Sequence, residues 1–193
     1  MKIYTGTGDR GKTSLFSGER VLKSSPRIAA YGDLDELNSV MGSVAAAMND
    51  DHQAQKEEIQ AIQGRLLSVG AWLATTPGSA STRFLQPFTE APAKQLESAI
   101  DRMNESLPEL KQFVLPGGHL SACLAHMARC VCRRTERRVI ALVEAEDGSA
   151  GPTETMQHIL VFLNRLSDYL FVMARYCNHL HGQEDVLWNG SID

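Results

Sequence analysis

No run of about 18 consecutive apolar residues occurs in this chain, which excludes a hydrophobic segment of the length a bilayer-spanning helix needs. The first residues, MKIYTGTGDRGKTS, lack the apolar stretch of a secretory signal, so a cytoplasmic protein is expected. Cysteine is scarce. Cys123, Cys130, Cys132 and Cys177 form no CxxC pair that would hold zinc or a redox disulfide, and all fall in segments of helical pattern, where they read as reduced core thiols. The histidines show no HxxxH spacing, so no protein-held transition metal is expected and no metal ligand is assigned. Positive charge is also short. Lys and Arg number 19 against 23 Asp and Glu, a net charge of -4, which argues against the broad basic face of a nucleic-acid binder. The exception is local: Lys2, Arg10, Lys12, Arg20, Lys23 and Arg27 face only Asp9 and Glu19 in the first 27 residues. That excess suits a small anionic ligand.

At 193 residues and 43% apolar content, one domain with a helical core is expected. Residues 1–28 are rich in Gly, Ser and Thr, have no 3.6-residue period and contain Pro26, so they read as an extended arm. Asp33 and Glu36 have capping-box spacing, and Leu34, Leu37, Val40, Met41 and Val44 then mark a first helix ending near Asn49. A second spans about His52 to Ala74, stopped by Pro77-Gly78. A polar loop leads to a third helix, about Pro92 to Ser106. After the short apolar turn Phe113–Gly118, Leu120 to Glu146 forms a fourth and Thr153 to His181 a fifth, with Pro152 expected in the first turn of the last. The fold class is therefore all-α: a five-helix up-and-down bundle over residues 29–181, with the arm before it and a tail of residues 182–193 after it.

Gly6-Thr-Gly-Asp-Arg-Gly-Lys-Thr13 satisfies both GxxxxGK[ST] and GxGxxG. A phosphate loop of the Walker type needs a buried strand before it and a helix directly after it. Neither is readable here. A glycine-rich basic loop can still cradle phosphate in another architecture through its backbone N–H groups, and the competing reading is a loose chain end. Further on, Arg129, Arg133, Glu136 and Arg137 stand at i, i+4, i+7 and i+8 on one helical face. They are either phosphate-binding forks with a glutamate to orient them, or a solvated, salt-bridged surface. Asn164 in the fifth helix suits contact with a nucleotide or an interhelical hydrogen bond. Asp35 suits an arginine partner or a plain helical acid. Phe113 reads either as a core anchor of its turn or as something the turn displays.

Five blocks in order, Lys2–Ser14, Tyr31–Asn38, Phe113–Gly118, Cys132–Arg138 and Phe162–Phe171, resemble the signature blocks of the PduO-type cobalamin adenosyltransferases. The resemblance implies transfer of the 5′-deoxyadenosyl group of ATP to the cobalt of cob(I)alamin, with inorganic triphosphate leaving. It also implies a homotrimer with ATP at each subunit interface. By matching position, Thr5, Gly6, Thr7, Gly8, Thr13, Ser14 and Lys23 would wrap ATP, and Arg133, Glu136, Arg137 and Asn164 would complete its site. Arg134 and Thr135 lie in the same block, although the helical angle turns Arg134 away from Arg133. Asp35 and Arg129 match an intersubunit salt bridge. Phe113 matches the aromatic residue that displaces the lower ligand of the corrinoid. Magnesium is the expected companion of the triphosphate, and a flavin-type reductase and an adenosylcobalamin-dependent client enzyme are the implied partners.

Two departures from the family pattern stand out: Gly6 occupies a position more often Lys or Arg, and Asp33 replaces a common Thr. Two other functions remain open on the sequence: a non-catalytic ATP-dependent carrier of adenosylcobalamin, and a phosphate-loop phosphohydrolase.

Overall fold

The structure, a computed structural model, describes residues 4, 6–147 and 151–190. Five helices carry the fold: α1 (Pro26–Ala46), α2 (Gln53–Leu73), α3 (Ala91–Asn104), α4 (Leu120–Asp147) and α5 (Glu154–Leu180). Single 3-10 segments, Asp50–His52 and Ala80–Phe84, punctuate the connections. α1 packs on α2 and α4, α4 on α5, and α5 on α3. Each helix contributes a stripe at helical spacing: Leu34, Leu37, Met41 and Val44 from α1 meet Ile59, Leu66, Val69 and Leu73 from α2, with Leu163, Leu166, Leu170 and Met173 from α5. Each such side chain, fully buried, contributes about 1.5–3 kcal/mol of transfer free energy, and together they define one core.

The helical expectations need two corrections. α1 begins at Pro26, well before Asp33, so the Asp33/Glu36 pair is helix interior and not a cap. Pro26 sits in the first turn, where its missing N–H is no loss, and Ser25 is the residue before it. What draws the early turn into the bundle is Arg27, a buried guanidinium that donates to the carbonyls of Leu73 (2.7 Å) and Thr75 (3.1 Å) and pairs with Glu146. It thereby ties the start of α1 to the end of α2 and the last turns of α4. Pro152 lies just outside α5, because Thr153 is the N-cap and accepts a hydrogen bond from the Met156 N–H at 3.3 Å.

The arm is ordered over its described residues as a small antiparallel hairpin, β1 (Lys12–Ser14) with β2 (Arg20–Leu22), pairing Thr13 with Val21. Its connecting turn is fastened to the end of α2: the Phe16 N–H donates to the Ala74 carbonyl at 2.8 Å and the Thr76 N–H to Ser17 Oγ at 3.1 Å. At the other end of the chain the tail folds back beside the Phe113 turn, with Val114 bridged antiparallel to Leu187. Cysteine burial divides: Cys132 and Cys177 are core residues as expected, whereas Cys123 is half-buried and Cys130 exposed.

Candidate active site

The glycine-rich segment forms tight turns before β1. Gly6 and Gly11 hold φ of 68° and 75°, the left-handed region that a Cβ disfavours. The Gly11 N–H donates to the Gly8 carbonyl at 3.2 Å, and Arg20 reaches across to the Thr7 carbonyl at 2.6 Å. Lys23 leaves the end of β2 directly over this turn; a Cβ at Gly8 would stand 3.2 Å from its Nζ. The phosphate-loop fold is thereby set aside: β1, a hairpin strand, begins at Lys12 itself, and no helix follows Gly11 directly.

Beneath the hairpin, between it and the outer faces of α1 and α2, lies a groove of about 620 Å³. Thr13, Ser14 and Lys23 line its polar side, Asp35 and Asn38 its α1 rim, and Phe16, Tyr31 and Leu67 its apolar wall. The volume is within the range of small-molecule sites. Of the expected hairpin residues, Thr13, Ser14 and Lys23 line the groove, Gly6, Thr7 and Gly8 form the turn beside it, and Thr5 lies outside the described residues. Tyr31 and Asn38 bound one of the matching sequence blocks but were given no role there, and Leu67 looks like an ordinary helix-surface residue in the sequence.

The second group sits on α4 and α5. Arg133 and Arg137 are exposed. Glu136 accepts a hydrogen bond from Asn164 Nδ2 at 3.0 Å, so the interhelical bond open to Asn164 is made and holds the glutamate beside the arginines. Arg129 turns into a small cavity of about 230 Å³ shared with Arg133, Ser167, Asp168 and Phe171. Its Nε is buried with no hydrogen-bond partner among the described residues. Arg134 is engaged elsewhere, paired with Glu36 and, at 3.4 Å, with Asp33 of α1.

Thr135, of the same block, is fully buried and donates to the Val131 carbonyl at 3.0 Å, whereas Arg133 and Arg137 are exposed. The neighbouring Cys132 is likewise chemically inert: burial raises its thiol pKa far above the ordinary value, with Glu136 adding to the effect, and it donates to the Leu163 carbonyl at 3.2 Å.

The hairpin groove and the arginine row are not joined within one chain. Among the described residues no hydrogen bond or ion pair links Thr13, Ser14 or Lys23 to Arg133, Glu136 or Arg137, and none pairs Asp35 with Arg129. Two separate groups of polar and basic residues therefore stand on one chain, one on the hairpin and one on α4 and α5.

Phe113 is displayed, not buried: it is 75% exposed, and its ring centroid lies 6.1 Å from that of Trp188 in the tail. An exposed aromatic turn with a second aromatic beside it is an apolar surface patch of the kind that marks interaction sites. Trp188 was unmarked in the sequence; its only local signal is that it closes the short apolar run Val186-Leu187-Trp188 in the tail.

A helical bundle with a glycine hairpin over an anion-sized groove, a separate arginine row and a presented aromatic describes a protein that binds a phosphorylated ligand and a flat apolar one. A family model described as cobalamin adenosyltransferase matches residues 3–177. The chain is 42% identical over 189 residues to corrinoid adenosyltransferase MMAB of Mus musculus, covering 97% of this chain and 77% of that one. It is 40% identical over 193 residues to the corrinoid adenosyltransferase of Bacillus subtilis, covering 99% and 94%. A phenylalanine-to-alanine variant of the PduO-type ATP:corrinoid adenosyltransferase of Lactobacillus reuteri, solved with cobalamin and ATP, superposes with a TM-score of 0.88 at 38% identity, covering 98% of this chain and 100% of that one. An arginine-to-lysine variant of the same enzyme with ATP gives 0.85, covering 97% and 100%. This chain belongs to the cobalamin adenosyltransferase family. It is an enzyme that transfers the adenosyl group of ATP to a corrinoid.

Proposed function

We propose that the hairpin groove of one copy and the arginine row of a neighbouring copy together form the ATP site, so that the working enzyme is a homotrimer. The observation that carries this is the separation of the two half-sites on one chain, each with the donors for part of a triphosphate. Thr13 and Ser14 hydroxyls, Lys23 and the glycine-turn N–H groups would take one side; Arg133 and Arg137 would take the other, with Glu136 held in place by Asn164. Asp35 and Arg129 of adjoining copies would pair across the seam, which would give a partner to the Arg129 Nε, buried without one among the described residues.

In the reaction, the cobalt(I) lone pair forms a bond to the 5′ carbon of ATP as the carbon–oxygen bond breaks, and that bonding pair leaves on inorganic triphosphate. Cobalt is the nucleophile, so no side chain removes a proton. The chain holds ATP in line and meets the charge gathering on the leaving group with Lys23, Arg133 and Arg137. Magnesium would accompany the triphosphate and neutralise part of its charge; among the described residues no group of three or more His, Cys, Asp or Glu is placed to hold a metal ion. Phe113 occupies the position of the corrinoid's lower ligand and leaves a four-coordinate cobalt(II) that accepts an electron more readily. That electron comes from a reductase of the flavin class, and a cobalamin-dependent client takes the product. Among the described residues no helix is long and apolar enough to cross a membrane. The free thiols of Cys123 and Cys130 suit a reducing, cytoplasmic setting.

The test is anaerobic. Purified protein with chemically reduced cob(I)alamin and Mg-ATP yields adenosylcobalamin and one equivalent of triphosphate, with a trimer by light scattering. ATP binding without alkylation, the outcome expected of a carrier, overturns the catalytic reading. A monomer at full activity overturns the shared site.

A further inference from the structure

Phe113 is mostly exposed, and the only ring against it among the described residues is Trp188, itself 44% exposed. Packing therefore does not fix its position. Its placement is inherited from the backbone that carries it, and that backbone is bonded directly to α5 through the buried Asn178 side chain.

Asn178, in the last turn of α5, is 2% exposed. Its Oδ1 accepts from the His119 N–H at 2.9 Å, and its Nδ2 donates both to the Gly117 carbonyl at 3.2 Å and to Asp185 Oδ1 at 3.3 Å. Both amide protons are thus committed, one to the turn that carries Phe113 and one to the tail. Gly118 comes so close, at φ 97°, that a Cβ there would stand 2.1 Å from Asn178 Oδ1. Asp185 is held in turn by Arg175 Nε at 2.7 Å, and Arg175 also donates to the Pro108 carbonyl at 2.8 Å. Beyond Asp185 the tail runs alongside the turn: the Leu115 N–H donates to the Val186 carbonyl and the Trp188 N–H to the Phe113 carbonyl, each at 2.8 Å.

We propose that Asn178 is a positioning residue for the corrinoid step, the point at which the 113–118 turn and the 185–188 tail are locked to α5 so that Phe113 is presented at a fixed height. The proposal rests on the assignment of Phe113 to the lower face of the corrinoid. No adjustable contact intervenes between Asn178 and the turn, so losing its amide lets turn and tail shift together. Misplacement by about 1 Å costs on the order of 100-fold in a step that depends on fit. The step affected is displacement of the lower ligand from cobalt(II); cobalt(I) has none to displace and bypasses it.

The experiment compares two substrates in Asn178→Ala and in the near-isosteric Asn178→Asp, which keeps the acceptor for His119 and sets a carboxylate against Asp185. With cob(II)alamin, ATP and reduced flavin, turnover falls roughly 10- to 100-fold and the four-coordinate cobalt(II) absorption is lost. With pre-formed cob(I)alamin, turnover stays within about threefold of the parent, and ATP binding by calorimetry is unchanged. Equal loss with both substrates in both variants marks a merely structural residue and overturns the proposal, as does unchanged turnover from cob(II)alamin. Phe113→Ala is run alongside. If it fails to show the cob(II)alamin-selective loss, the assignment of Phe113 itself falls; if it shows the loss and the Asn178 variants do not, only the positioning role falls.

Discussion

The glycine hairpin holds Thr13, Ser14 and Lys23 by the backbone bonds of a two-stranded ribbon and leaves the groove below them open, whereas the turn bearing Phe113 is fastened from behind by Arg175, Asn178 and Asp185, with the first two buried. A lone hairpin is marginal by itself, and this one is secured by its contacts to the end of α2. The Phe113 turn is secured by the buried Asn178 amide and by backbone bonds to a tail that Arg175 holds through Asp185. The hairpin end, the nucleotide end of the proposed reading, is thus held mainly by backbone bonds, while the Phe113 end, its corrinoid end, is fastened by buried side chains of the same chain.

The sharpest way to break the contrast is at the buried pair. Asp185→Ala strands the Arg175 guanidinium, whose side chain is 5% exposed, and is expected to cost about 3–5 kcal/mol of folding stability, read by urea denaturation. An effect below about 1 kcal/mol, the scale of a surface pair, would mean the corrinoid end is no more firmly built than the hairpin. Next in size is Arg133→Ala. The loss of charged hydrogen bonds to phosphate, about 1.5–3 kcal/mol, weakens ATP binding roughly 10- to 150-fold by calorimetry with little change in melting temperature, because Arg133 is exposed. Phe113→Ala leaves ATP affinity as it is and lowers turnover from cob(II)alamin about tenfold or more, about 1.4 kcal/mol of barrier.

The smallest effect is with pH. Burial, reinforced by the Arg129 charge and opposed by Asp185, holds the His126 pKa below the ordinary histidine value. Folding therefore favours the neutral ring: the stability it contributes is complete above about pH 6.5, the unfolded value, and is lost as the pH falls towards the lowered folded value. Melting temperature should fall between pH 7.5 and 5.5, and His126→Gln should flatten that slope; an unchanged slope removes His126 as its source.

The apolar stripes made the helices legible, since burial repeats every 3.6 residues and needs no knowledge of partners. The start of α1 was not, because Asp33 and Glu36 imitate a cap at a place where Arg27, through bonds to Leu73, Thr75 and Glu146, keeps the chain helical from Pro26. The arginine row was legible as a face, but Thr135, one residue past Arg134, belongs to the opposite side of the helix. The fastening behind Phe113 left no trace in local sequence: Asn178 and Gly117 are 61 positions apart, and Asn178 looks like any polar residue near a helix end.

Arg27 also settles where the arm is rooted. Because it fixes the first turn of α1 to two other helices, with only a few residues between it and β2, the hairpin stands on a post of set length. The spacing from Leu22 to Arg27 thus acts as a gauge. One residue inserted there would carry Lys23 and the glycine turn up to about 3.6 Å along the groove, so nucleotide contact should depend on a residue count as much as on residue identity.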